Sequence, residues 1–262
     1  MKHTGYPLLF LLCILLTRQG IAEDIPVIAV ATNFVPVLHE IGRKFTSLTG
    51  NQIRISAGAS GTLFRQIEAG APFELFLSAN ENYVQRLHDK GLTIDIGRIY
   101  ATGILVLYIP YSSRLDYMQN TNDIIRQIVQ DQSCKLALAN PEIAPYGLAA
   151  QQVLARFTDP GKLQEREIIG DNAGQTARYA LSGNIDAAFL PYSYAITPQM
   201  REGGHFERIP PEWYTPIRQR MVLMKNAGTV AMAFYEYLGS DPAKQIIKRS
   251  GYSIPEQHRT GD

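Results

Sequence analysis

Val27-Ile28-Ala29-Val30-Ala31-Thr32-Asn33-Phe34-Val35-Pro36-Val37-Leu38 is the stretch whose reading decides the fold. The first five residues are continuously apolar and read as a strand. From Val35 the apolar positions change to helical spacing, with Val37, Leu38, Ile41 and Phe45 on one face. Pro36 suits the first turn, where its missing N–H is not needed. Thr32 and Asn33 therefore stand where a strand hands over to a helix. The arrangement returns one unit later, with a strand over 53–56, the turn Gly58-Ala59-Ser60-Gly61-Thr62 and a helix over 60–69 stopped by Gly70. Both turns offer hydroxyls, an amide and open backbone N–H groups, and neither carries a charge. The first N–H groups of a helix have no intrahelical acceptor, and the macrodipole adds positive potential there. Two such turns make an anion site from neutral parts.

Working outward, the spacing predicts strands over 75–77, 104–109, 136–139, 167–169, 187–190 and 221–224. It predicts helices over 81–90, 123–129, 146–156, 174–181, 229–238 and 242–250. Alternating strands and helices predict an α/β fold of mostly parallel sheets flanked by helices. There are more elements than one small sheet needs. The reading favours two lobes, with the chain crossing near 101–103 and returning near 216–220, over a single larger sheet.

In such folds ligands bind beyond the C-terminal ends of strands. That rule selects Thr32 and Asn33, Ser60 and Gly61, the loop 140–147 with Tyr146, and the loop 170–174 with Ala173. Each residue alone has a plainer reading. Thr32 and Ser60 are ordinary N-cap types, Asn33 a turn residue, Tyr146 half-buried packing, and Ala173 a small residue in a tight turn. Their shared position singles them out. Donors without acceptors suit a fully ionised tetrahedral oxyanion, because a protonated oxygen would need an acceptor.

The chain opens Met1-Lys2-His3, runs apolar over 6–16 and reaches the small residues Gly20 and Ala22. This predicts a secretory signal peptide over 1–22, cleaved after Ala22. The apolar run falls short of the about 20 residues of a membrane span. The mature protein is expected to be soluble and periplasmic; a retained N-terminal anchor is the alternative. Losing Lys2 and Arg18 with the leader turns 25 basic against 24 acidic residues into a net charge of −1. That balance gives no support for nucleic acid or an anionic membrane as partner. Cys134 is then the sole cysteine, in an apolar strand where a small core residue is expected.

Other chemistries read less well. Gly58-Ala59-Ser60-Gly61-Thr62 misses the last position of the nucleophile elbow G-x-S-x-G. A Ser60 hydrolase would also need an acid and then a histidine downstream, where His88, His205 and His258 are the candidates. His39-Glu40 begins like H-E-x-x-H, but Arg43 holds the second histidine position. No phosphate-binding G-x-x-x-x-G-K-[ST] is present. The expectation is a binding protein, with no catalytic residue, no cofactor and no direct metal ligand.

The segment from Ser60-Gly61-Thr62-Leu63 through Arg65-Gln66-Ile67-Glu68 and Gly70-Ala71-Pro72 to Glu74-Leu75-Phe76 and Ser78-Ala79 resembles the periplasmic molybdate-binding proteins of ATP-driven molybdate uptake systems. Ala29-Val30-Ala31-Thr32-Asn33-Phe34, Asn140-Pro141-Glu142 with Pro145-Tyr146-Gly147, Ala233-Phe234-Tyr235-Glu236-Tyr237-Leu238 and Ile246 to Tyr252 also fit, so the resemblance spans nearly all of the mature chain. It implies a two-lobed periplasmic-binding-protein fold of type II with a two-stranded hinge. The lobes would be 23–102, 103–217, and a return of 218–262 to the first. It implies a monomer that binds molybdate, and tungstate as well, through neutral hydrogen bonds and delivers it to a membrane permease of an ABC transporter. Carried over by position, the ligand set is Thr32, Asn33, Ser60, Tyr146 and Ala173. Thr32 and Ser60 would give hydroxyl and backbone N–H, Asn33 its amide or backbone, and Tyr146 and Ala173 mainly backbone N–H, with the Tyr146 hydroxyl as an extra donor. Some members place a ligand tyrosine where this chain has Pro191, followed by Tyr192-Ser193-Tyr194. Sulfate, with the same donor chemistry, is the nearest alternative ligand.

Overall fold

A computed structural model describes residues 25–254. In chain order the strands are β1 (Val27–Ala31), β2 (Arg54–Gly58), β3 (Leu75–Ser78), β4 (Arg98–Gly103), β5 (Leu105–Pro110), β6 (Leu136–Ala139), β7 (Glu167–Gly170), β8 (Ala187–Pro191), β9 (Gly204–Arg208) and β10 (Ile217–Leu223). The α-helices are α1 (Val35–Thr49), α2 (Ser60–Glu68), α3 (Glu81–Asp89), α4 (Thr121–Gln130), α5 (Pro145–Leu154), α6 (Ala173–Ala180), α7 (Tyr192–Ala195), α8 (Pro198–Gly203), α9 (Thr229–Leu238) and α10 (Asp241–Arg249). A short 3-10 turn, Thr32–Phe34, joins β1 to α1.

The strands form two five-stranded sheets, ordered β2-β1-β3-β10-β4 and β7-β6-β8-β5-β9. Side chains alternate across each sheet with period two. Ile28 and Val30 of β1 pack with α1, α9 and α10, while Ala29 between them packs with α2 and α3. In β5, Leu105, Leu107 and Ile109 join α4 and α5, and Val106 and Tyr108 join α6 and Met200 of α8. Each sheet is thus buried on both faces, which explains why β1, β5, β6 and β8 are apolar throughout and β3 is apolar up to Ser78.

The chain leaves the first sheet at Gly103 and enters the second at Leu105. It returns at Ile217, which pairs with Gly103. The crossings therefore lie side by side on the antiparallel strands β4 and β10, which form a two-stranded hinge. The register of this pair shifts between Gln219 and Arg220.

The sheets are mixed rather than mostly parallel. In each, two pairings are parallel and two antiparallel. The antiparallel members are the strands next to the crossings, which arrive from the other lobe instead of through a helical crossover. Beyond shifts of one or two residues, β4, β9, α7 and α8 are not among the expected elements, and β10 differs in its start. β4 and β9 carry Arg98, His205, Glu207 and Arg208 at edge positions, where charge discourages further pairing. β10 begins at Ile217, four residues before the apolar run, because Arg218 and Arg220 alternate outward around inward Gln219. The expected signal peptide over 1–22 lies outside the described residues. Within them, no helix is long and apolar enough to cross a membrane.

Candidate functional site

The C-terminal ends of β1, β2, β6 and β7 lead to the four chosen loops. Ala31, Thr32, Asn33, Gly58, Ala59, Ser60, Ala79, Ala144, Pro145, Tyr146 and Ala173 line one narrow cavity between the sheets, of about 10 Å³. By that measure the space is about that of one water molecule. All five expected ligand residues are in that lining, and none of the lining residues carries a formal charge. Larger grooves of about 320 and 520 Å³ lie on the surface, the first sharing Ala79 and Pro145 with this cavity.

The helix starts here are unusual in their capping. Thr32 and Ser60 are not N-caps; Ala31 and Ala59 hold those positions, with no side-chain cap. The N-cap of α5 is Ala144, again without a side-chain cap. Only α6 is capped, by Asn172, which accepts from Gln175 N–H and leaves Ala173 N–H outside that bond. Elsewhere in the chain Asn80, Asn120 and Ser240 do cap their helices. Buried backbone N–H groups need partners. Three helix starts without a side-chain cap face one cavity; of their N–H groups, that of Gly61 is met by Ile143 O at 3.0 Å.

Individual side chains are more constrained than the sequence indicates. Ser60 is buried, and its Oγ accepts from Ala79 N–H at 2.9 Å. That bond fixes the oxygen and leaves the hydroxyl proton for another acceptor. Thr32 is half-buried at the cavity wall. The Asn33 amide does not serve the cavity. Its Nδ2 donates to Gln219 Oε1 and to Tyr252 Oη, each at 3.0 Å, which uses both amide protons. Asn33 is left with its backbone N–H. The Tyr146 hydroxyl also points elsewhere. It accepts from Gln219 Nε2 at 3.3 Å and sits where a Cβ on Gly103 would approach within 2.1 Å.

These contacts belong to an uncharged network at the hinge, which the sequence reading missed. Gln219 Oε1 accepts from Asn33 and from Tyr100 Oη at 2.9 Å, while its Nε2 reaches Tyr146. Tyr252 Oη lies 2.6 Å from the Asn33 carbonyl and 3.0 Å from Ser193 Oγ. Burial raises the Tyr100, Tyr146 and Tyr252 phenols above their ordinary range and keeps them neutral. A signal for this network exists in the sequence: Ile217, Gln219 and Met221 alternate inward, and a glutamine in such a row demands partners.

The lobes touch across the cavity. Gly61 N–H donates to Ile143 O at 3.0 Å, and a Cβ on Gly61 would come within 3.1 Å of Ile143 Cα. Ala59 packs with Ala139, Ala144 and Ile143. The hydrolase reading gains nothing here. His88 pairs with Thr93 and His205 with Glu207, neither with Ser60, and His258 lies outside the described residues. Among the described residues, no group of three or more His, Cys, Asp or Glu is placed to hold a metal ion. Cys134 is buried, and desolvation pushes its thiol up to about 12, so it is an inert core residue.

Residues 26–253 match the bacterial extracellular solute-binding protein family. The chain belongs to that family. The molybdate-binding protein ModA of Rhodobacter capsulatus is 33% identical over 227 residues, 86% of either chain. ModA of Azotobacter vinelandii is 31% identical over 230 residues, 87% of this chain and 89% of that one. The solved structure of the Azotobacter vinelandii periplasmic molybdate-binding protein superposes with a TM-score of 0.80 at 31% identity, covering 88% of this chain and all of that one. Within the family, this chain is ModA-like, and these relatives are binding proteins rather than enzymes.

Proposed function

We propose that this chain is the periplasmic receptor of an ABC transporter, capturing molybdate and delivering it to the permease. The observation that supports this best is the convergence of four strand-to-helix loops on one cavity lined only by uncharged groups. A dianion is costly to bury unless each oxygen is hydrogen-bonded. Charge-assisted bonds from N–H and O–H groups offset that cost, at roughly twice the strength of neutral ones. In this reading Thr32 gives hydroxyl and backbone N–H, Ser60 its hydroxyl, and Asn33, Tyr146 and Ala173 their backbone N–H groups. The absence of an acceptor carboxylate in the lining selects against phosphate, which is partly protonated at neutral pH. Asp171 and Glu142, each two residues from the lining in sequence, are exposed and outside it.

Tungstate has the same shape and charge and binds the same donors. The protein works as a monomer, without cofactor or covalent step, after a signal peptide over 1–22 is removed behind Ala22. The moving bodies are 23–102 with 218–262, and 103–217. Ligand closes them because it contacts both only when they meet, which is the differential affinity that shifts the population. Sulfate shares the donor chemistry and is the competitor to test. Calorimetry of residues 23–262 with molybdate, tungstate, sulfate and phosphate decides between them. Binding of molybdate and tungstate in preference to sulfate is expected, and heat with sulfate alone refutes the assignment.

A further inference from the structure

The segment that follows Pro191, Tyr192-Ser193-Tyr194, bonds across to the first lobe. Tyr194 Oη, from α7 in the second lobe, donates to the Thr32 carbonyl at 2.9 Å. Ser193 Oγ, its neighbour, donates to the Asn33 carbonyl at 3.1 Å. Thr32 and Asn33 belong to the first lobe. Two bonds therefore join the lobes at the cavity without involving any guest. Gly174 makes room for one of them, since a Cβ there would lie 3.1 Å from Tyr194 Oη and 3.7 Å from Thr32 Cβ.

These bonds also act on the donors. A peptide unit is planar, so holding the Thr32 carbonyl holds the Asn33 N–H on the same unit. Donation to that carbonyl polarises the N–H as well. We propose that Tyr194 is a positioning residue: its hydroxyl latches the second lobe to the Thr32–Asn33 peptide, orients the Asn33 N–H and favours the closed arrangement before the oxyanion arrives. The phenol holds its proton throughout the neutral range, because burial pushes it up to about 12. If the binding-competent closed form is a fraction of the free protein, the apparent dissociation constant is divided by that fraction. Losing the latch therefore weakens every guest by the same factor.

The latch rests on the molybdate reading only for its choice of guests. Tyr194→Phe removes the hydroxyl and little else, and Gly174→Ala displaces the phenol while keeping it. Both variants and the parent are compared by calorimetry and stopped-flow with molybdate and with tungstate, and by small-angle X-ray scattering without guest. Tyr194→Phe is expected to raise both dissociation constants equally, by about three- to tenfold, mainly through faster release, and to raise the guest-free radius of gyration. Gly174→Ala moves the same quantities in the same direction. Unchanged affinity with unchanged scattering overturns the latch. Unequal effects on the two oxyanions also overturn it, since the phenol would then touch the guest directly. If the parent binds neither oxyanion, the molybdate reading fails, and the guest-free scattering of parent against Tyr194→Phe still decides the latch.

Discussion

Replacing Ser60 by alanine separates binding from folding at this site. The Ser60 oxygen has one partner, the Ala79 N–H at 2.9 Å, and its proton is uncommitted. Removing the hydroxyl has two consequences. Ala79 N–H loses its acceptor in a buried setting, which costs about 1–3 kcal/mol of stability in free and bound protein alike. The anion loses one charge-assisted donor, worth about 1.5–3 kcal/mol, in the bound protein only. At about 1.4 kcal/mol per decade, affinity for molybdate should fall about ten- to hundredfold. The guest-free melting temperature should fall by roughly 2–4 °C for each kcal/mol lost. Calorimetric titration reads the first effect and a scanning melt the second. A variant that melts lower yet binds molybdate as tightly as the parent would refute the reasoning, because the hydroxyl would then be a structural acceptor alone.

Other perturbations probe the lobe contact, the hinge and the phenols. Gly61→Ala places a methyl 2.7 Å from Tyr83 Oη and 3.1 Å from Ile143 Cα across the cleft. Tyr83 belongs to the same lobe and its hydroxyl can swing aside, so the overpacking cost, about 1–3 kcal/mol, falls mainly on the contact with Ile143, and affinity should drop at least about fivefold; a lower melt with unchanged affinity would contradict the lobe contact. Gln219→Leu strands the Asn33 amide and the Tyr100 hydroxyl, and should lower stability by about 1–3 kcal/mol for each group left unpaired, read by denaturant unfolding. Burial raises Tyr100, Tyr146, Tyr194 and Tyr252, so the unfolded chain ionises these groups first, near the usual value of about 10. The stability they contribute is complete below about pH 10 and is lost as pH climbs through the folded values. Melting temperature should therefore decline above about pH 10, with tyrosinate absorbance rising alongside unfolding; a decline that begins near neutrality would point to other groups.

The legible parts of this protein were those governed by local pattern. β1 and α1 announce themselves through the change from a continuous apolar run to a 3.6-residue period, the strand-end rule then led to four loops, and the resemblance to molybdate-binding proteins narrowed these to Thr32, Asn33, Ser60, Tyr146 and Ala173. The structure brings all five to one cavity. What stayed hidden depends on partners remote in sequence. Asn33 looked like a free amide, but Gln219 and Tyr252, 186 and 219 residues away, consume it. Tyr146 looked like a donor with two groups to offer, yet its hydroxyl turns to Gln219. β4 and β9 escaped notice because an edge strand carries charge for reasons unrelated to helix or strand propensity. The mixed character of the sheets follows from two passages of the chain between lobes, which no single segment records.

The central claim is that a dianion is caged by neutral donors at helix starts, with no countercharge. Anomalous diffraction at the molybdenum edge, from crystals of residues 23–262 grown with molybdate, tests it most directly. The account predicts one molybdenum peak among Thr32, Ser60, Tyr146 and Ala173, with its oxygens met by N–H and O–H groups. A peak elsewhere, or an arginine, lysine or bound cation against the oxygens, would contradict it.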